Sequence, residues 1–134
     1  MNYKEEKQYY ESGPLMRHFF EDENGYRFGE RRVYHMNGQL SWHYFSVKGS
    51  DYGEVKSFSV DGTTRYHYLI DGEGDEIASV VECNYPDTHS EEQLIQIAKE
   101  HNLPLLSELP KTEAELTLWN LKWPDLPLLP IVHK

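Results

Sequence analysis

A short phrase is written three times between about residues 8 and 76, and it restricts the fold more than anything else in the chain. It reads Tyr10-Glu11-Ser12-Gly13-Pro14-Leu15, then Tyr34-His35-Met36-Asn37-Gly38-Gln39-Leu40, then Phe58-Ser59-Val60-Asp61-Gly62-Thr63-Thr64. Each copy leads into a triplet of His, an aromatic and an apolar residue: His18-Phe19-Phe20, His43-Tyr44-Phe45 and His67-Tyr68-Leu69. The aromatic before the turn stands at positions 10, 34 and 58, and Gly29-Glu30 returns as Gly53-Glu54. A period of about 24 residues is the mark of stacked supersecondary units.

Asn37-Gly38 and Asp61-Gly62 lie between alternating apolar residues, a strong hairpin signal because a type I′ turn needs positive φ at both central positions. Ser12-Gly13 is the first, weaker copy, and Asn24-Gly25, Lys48-Gly49 and Asp71-Gly72 stand where one hairpin hands over to the next. The sequence therefore predicts an antiparallel meander with strands near 7–11, 15–21, 29–36, 39–47, 53–60, 64–70 and 75–83. A two-residue turn at Asn37-Gly38 pairs Met36 with Gln39, Tyr34 with Ser41 and Arg32 with His43, and paired residues share a face. One face then carries Tyr10, Met16, Phe20, Tyr34, Met36, Phe45, Phe58, Val60 and Leu69. The other carries Leu15, Phe19, Val33, Leu40, Trp42, Tyr44, Tyr66 and Tyr68. A sheet that is apolar on both sides needs a cover on one and presents a sticky surface on the other.

The element Tyr34-x-x-Asn37-Gly38-x-Leu40 with Gly53-Glu54, repeated less closely around Gly13 and Gly62, resembles the variant MORN repeat. The likeness covers about half the chain and departs from the pattern at Thr64, where the repeat has Leu, and in the shortened last return loop. It implies a sheet of β-hairpins used as a scaffold or binding surface. Some bacterial proteins with such repeats are described as antitoxin-like.

The composition changes after Pro86, which divides the chain into a hairpin sheet over 1–86 and a helical segment over 87–134 of the same domain. Ser90-Glu91-Glu92-Gln93 is a capping box, and a helix over about 91–101 follows with Leu94, Ile97, Ala98 and His101 on one stripe and Asn102 as its C-cap. Thr112-Glu113-Ala114-Glu115 opens a second helix near 113–122, carrying Leu116, Trp119, Leu121 and Trp123 and stopping before Pro124. The fold class is α+β, with both helices packed on the more aliphatic face. The tail Leu126-Pro127-Leu128-Leu129-Pro130-Ile131-Val132 cannot continue a helix; it either lies extended against the domain or serves as a hook for a partner.

Several kinds of chemistry find no support. His18, His43 and His67 fall on every second strand, about 10 Å apart, too far for neighbours to share a zinc ion that takes nitrogen at about 2 Å. They read as a structural ladder, His43 beside Arg32 and His67 beside Lys56. Cys83 stands beside Glu82, which works against a reactive thiolate, and no nucleophile elbow or phosphate loop is present. Neither enzyme, cofactor nor metal is expected. No run approaches the ~20 apolar residues of a membrane span, and the first residues lack a signal peptide's apolar stretch, so the expected setting is the cytoplasm.

A formal net charge of -10 disfavours direct nucleic-acid binding, which depends on Lys and Arg displacing counterions, and favours a basic protein partner. Two candidate surfaces follow. One is the aromatic face: Trp42, Tyr44, Tyr66, Tyr68 and Phe19. The other is an acidic rim on the return loops: Glu21, Glu23, Asp51, Glu54, Asp71 and Glu73, with Glu30 alongside. The expected function is protein binding without catalysis, as in an antitoxin, an immunity protein or a phage-type inhibitor. The alternative is an acidic mimic of nucleic acid that occupies a DNA- or RNA-binding protein. A second copy closing the open face is a further arrangement the pattern permits.

Overall fold

The computed structural model describes residues 3–81 and 89–129. Cys83 and the change of composition at Pro86 lie outside them. Seven strands, β1 (Lys4–Tyr9), β2 (Leu15–Glu21), β3 (Arg27–Tyr34), β4 (Leu40–Val47), β5 (Ser50–Phe58), β6 (Thr64–Ile70) and β7 (Glu76–Val81), form one antiparallel sheet in chain order. Two helices follow, α1 (Glu91–Glu100) and α2 (Glu113–Lys122). The expected meander and helical cover are both present.

The turns differ from expectation in a way that matters for the faces. At Asn37-Gly38 the loop has three residues: His35 N–H donates to Gln39 O at 2.8 Å and Gly38 N–H to His35 O at 3.0 Å. Gly38 has φ of 87° while Asn37 stays out of the left-handed region, which makes a type I turn closed by a glycine bulge rather than type I′. The same pair of bonds recurs around Gly13, Gly25, Gly62 and Gly74. Among the described residues, only Lys48-Gly49 forms a two-residue turn with both residues at positive φ, 51° and 81°.

One extra loop residue shifts the register beside it. Arg32 pairs with His43 as expected, but Tyr34 pairs with Leu40, and the predicted Tyr34–Ser41 and Met36–Gln39 pairs do not form. Met36 and Val60, assigned to the aliphatic face, sit in loops and are each 60% exposed. Two inner bulges, at Gly29 and Gly53 with φ of 79° and 78°, break the ladders between β2 and β3 and between β4 and β5.

The helices cover the face that carries Phe45 and Leu69. Ser90 caps α1 through the predicted capping box, and Asn102 takes the left-handed position one residue beyond the C-cap His101. From α1, Leu94 and Ala98 pack with Leu103 and Leu105 on Leu69 and Ala78. From α2, Trp119 stacks on Phe45 with ring centroids 5.6 Å apart and donates its indole N–H to Leu126 O. The expected apolar stripe of α2 is mostly outside the core: Leu116 and Leu121 are exposed and Trp123 is half-buried. This short helix rests on the sheet through the Trp119 ring, with its C-cap Trp123 edge-on to Tyr52 at 6.4 Å, while Leu116, Leu118 and Leu121 face water.

Two extended segments with the same sequence tie the helices down. Leu103-Pro104-Leu105-Leu106 and Leu126-Pro127-Leu128-Leu129 lie against the two inner bulges. Glu54 N–H donates to Pro104 O at 3.0 Å, and Glu30 N–H donates to Pro127 O at 2.9 Å. A Cβ on Gly53 would come within 2.5 Å of Pro104, and one on Gly29 within 2.2 Å of Pro127. Only glycine permits this approach. The described part of the Pro-rich tail therefore packs on the domain, while Pro130-Ile131-Val132 falls outside the described residues.

Candidate binding surface

The face opposite the helices gathers the aromatic residues picked out from the sequence. Val33 pairs with Trp42, Trp42 with Ser57 and Ser57 with Tyr66, which lines these side chains up across four strands. Trp42 stacks on Tyr66 at 6.1 Å with an 18° interplanar angle and meets the edge of Tyr44 at 6.3 Å. Trp42, Tyr66 and Tyr68 are half-buried, whereas Phe19 and Tyr44 are buried within the sheet's own surface. The first three therefore present contact area, and the other two form its floor.

Pairing also brings arginines onto this face, which sequence reasoning missed. Arg17 lies opposite Val33, and Arg31 opposite Tyr44. The Arg27 guanidinium sits 4.3 Å from the centroid of the Phe19 ring, and that of Arg31 sits 4.7 Å from Tyr44 and 6.0 Å from Phe19. Arginine over an aromatic ring is attracted by the negative ring face. Arg17, Arg27, Arg31, Val33, Trp42, Tyr44, Asp51 and Tyr68 line an open groove of about 550 Å³.

Arg31 is 8% exposed, and its Nε has no hydrogen-bond partner. Its Nη1 donates to Ser46 Oγ at 3.2 Å. Burial holds this guanidinium below the ordinary arginine value; Tyr44 and Asp51 act against that, and the like charges of Arg27 and Arg17 add to it. Among the described residues, none of the three groove arginines makes an ion pair within 4.0 Å.

On the covered face each ladder histidine meets a glutamate 13 residues before it. His18 Nε2 stands 2.6 Å from Glu5 Oε2, His43 2.7 Å from Glu30 Oε2, and His67 2.6 Å from Glu54 Oε2. An ionised carboxylate only accepts, so each Nε2 is the donor. The second oxygen of the two inner glutamates holds the cover: Leu129 N–H donates to Glu30 Oε1 at 2.9 Å, and Leu106 N–H to Glu54 Oε1 at 2.7 Å. Arg32 adds two bonds to Glu30 Oε2, at 2.7 and 3.0 Å. Burial opposes ionisation of Glu30, but the bond from His43 and the charge of Arg32 more than offset it, and its pKa is lowered. Glu54 behaves alike, burial being outweighed by His67 and by the Leu106 N–H.

The acidic rim is correspondingly thinner than expected. Glu54 and Glu30 are 3% and 1% exposed, because the bulges turn them under the Pro-Leu-Leu segments. Asp51 lies at the arginine groove. Glu23, Asp71 and Glu73 stay on the loops at one end of the sheet, and Glu21 ends β2 beside them. Asp71 Oδ1 accepts from Glu73 and Asp75 N–H, both at 2.9 Å, and the bond from Asp75 leads in lowering its pKa. The ligand atoms of Asp71, Glu73 and Asp75 lie within 4.8 Å of one another, a spacing that exposed acidic loops also adopt without an ion.

Comparison with family models, curated proteins and solved structures gives no match to this chain. The surface must therefore be interpreted from its own chemistry. One signal was available in the sequence and overlooked: Arg17, Arg27 and Arg31 sit at every other position along β2 and β3 with Phe19 and Val33, in phase with the aromatic face.

Proposed function

We propose that this chain is a non-enzymatic protein-binding module that uses the Trp42, Tyr66 and Tyr68 face to hold one protein partner. One observation carries the reading: two stacked aromatic rings stay half-exposed on the sheet face opposite the helices and the Pro-Leu-Leu segments. Half-exposed Trp and Tyr give large contact area at small entropic cost, and interfaces are rich in them, with arginine, for that reason. Such a module acts by occupying its partner, as an antitoxin, immunity protein or phage-type inhibitor does. The resemblance to variant MORN repeats supports the same use of a hairpin sheet.

The arginine groove alters the partner's expected charge. A partner seated on this face meets three guanidiniums, so its contacting segment is acidic, even though a chain with net charge -10 attracts bases at long range. The alternative of acidic mimicry has lost Glu30 and Glu54 to buried pairs, and no other observation favours it.

The test is affinity capture from the native cell followed by calorimetry on the purified pair. Trp42→Ala and Tyr66→Ala should each cost about 2 kcal/mol or more in binding, as central aromatic anchors do. Undiminished binding by both variants, together with loss on neutralising Glu21, Glu23 and Glu73, would move the interface to the acidic end of the sheet and refute the reading.

A further inference from the structure

Burying a guanidinium is costly unless a counter-charge or a full set of hydrogen bonds accompanies it. Arg32 obeys this rule on the covered face, where Glu30 receives it twice. Arg31, the residue before it, points to the opposite face and does not: it is more than nine-tenths buried, its Nε is unpartnered, and Ser46 takes one bond from Nη1. Two further cations, Arg17 and Arg27, line the same groove. Of these, Arg17 donates to the neutral side chain of Gln8 at 3.1 Å, and Arg27 stacks on Phe19. Asp51 is the single acid among the lining residues and makes no ion pair within 4.0 Å of any of them. Three like charges share a groove whose walls are Trp42, Tyr44 and Tyr68, in a chain with 23 acidic residues available to neutralise them.

We propose that this groove is an oxyanion site, taking a carboxylate or phosphate group presented by an extended segment of the protein partner, whose apolar body lies across Trp42. The proposal rests on the protein-binding reading for its ligand's source, while the anion chemistry stands on the groove itself. Guanidinium presents forked donors that match the two oxygens of a carboxylate or phosphate. Arg31, fixed between Tyr44 and Ser46, is held ready without further ordering, and the less buried Arg17 and Arg27 can close on the ligand from the rim.

The test uses the full chain and begins with inorganic phosphate. In a titration followed by nuclear magnetic resonance, phosphate should shift the Arg31 Nε–H and Trp42 indole signals saturably, and chloride at equal ionic strength should not. Arg31→Lys replaces the fork by a point charge and should weaken phosphate binding by about tenfold or more. Arg17→Gln, at a half-buried position, should also weaken it and serves if Arg31→Lys fails to fold, while Lys111→Gln, outside the groove, should leave it unchanged. Three peptides of one sequence carrying phosphoserine, aspartate or serine then separate the sources: tighter Arg31-dependent binding of either of the first two over serine identifies the group presented. Shifts that chloride reproduces, or that persist in both arginine variants, would overturn the site. An oligouridine bound more tightly than either acidic peptide, with affinity rising with its length, would reassign the groove to a nucleic-acid backbone. Phosphate is offered without any protein, so loss of Trp42-dependent partner capture with phosphate binding intact refutes the module reading alone.

Discussion

Leu106 donates its backbone N–H to Glu54 Oε1 at 2.7 Å across 52 positions of sequence, while His67 holds the other oxygen of the same carboxylate. One side chain thus joins two neighbouring strands and the segment that covers them. Its charge has no water to turn to, since Glu54 is 3% exposed.

Removing that carboxylate should be among the most damaging single changes. Glu54→Ala should lower unfolding stability by about 3–5 kcal/mol, the usual cost of breaking a buried pair. Glu5→Ala, at the equivalent position on the edge strand where the glutamate is 38% exposed and the buried His18 loses its partner, should cost less, about 1–3 kcal/mol. Urea denaturation of both variants checks the contrast, and equal losses would contradict it.

Acid should loosen the cover. Glu30 and Glu54 both titrate lower in the folded chain than their ordinary value, so the folded state binds fewer protons than the unfolded one as pH falls. Their contribution is complete above the unfolded glutamate value of about 4.3 and disappears as pH drops through it toward the lower folded values. Unfolding free energy measured from pH 7 to 3 should decline below about pH 5. The decline should be shallower in Glu30→Gln and Glu54→Gln.

Glycine at the inner bulges is required by space as well as by backbone angle. Gly38→Ala places a Cβ in open space and should cost about 1–2 kcal/mol for the left-handed conformation alone. Gly53→Ala, whose Cβ would come within 2.5 Å of Pro104, should cost about 1–3 kcal/mol more through overpacking. Hydrogen exchange should show the excess as early opening of residues 103–106.

Trp119 anchors α2. Trp119→Ala should cost about 3–5 kcal/mol, because the ring covers Phe45 and bonds to Leu126 O. Leu121→Ala, 76% exposed on the same helix, should stay within about 0.5 kcal/mol. Paired thermal melts of these variants distinguish an anchored helix from one buried along a full stripe.

The meander, the helices, the Ser90 capping box and the aliphatic covered face were all readable from turn residues and apolar periodicity, because both are local signals. Loop length was not readable: Asn37-Gly38 suits a two-residue turn and a three-residue one equally, and the choice moves Tyr34 from Ser41 to Leu40. Burial of Glu30 and Glu54 was also out of reach, since a Gly-Glu pair looks like a solvated loop until its bulge is seen beneath a proline. The recurrence of Leu-Pro-Leu-Leu at 103–106 and 126–129 was present in the letters, at nearly the spacing of the hairpins themselves. Its meaning depended on Gly29 and Gly53, about 100 and 50 residues before the prolines they meet.

The bond between Glu30 and Leu129 spans 99 positions, and that separation governs the order of events on the ribosome. All seven strands emerge before the second Pro-Leu-Leu segment exists, so at about 5–20 residues per second the bare Phe45 side of the newborn sheet waits roughly 2–10 s for its cover. Transiently exposed apolar surface of this kind favours aggregation. A premature stop before Leu126 would leave Glu30 Oε1 without the Leu129 N–H and the Trp119 indole without the Leu126 carbonyl.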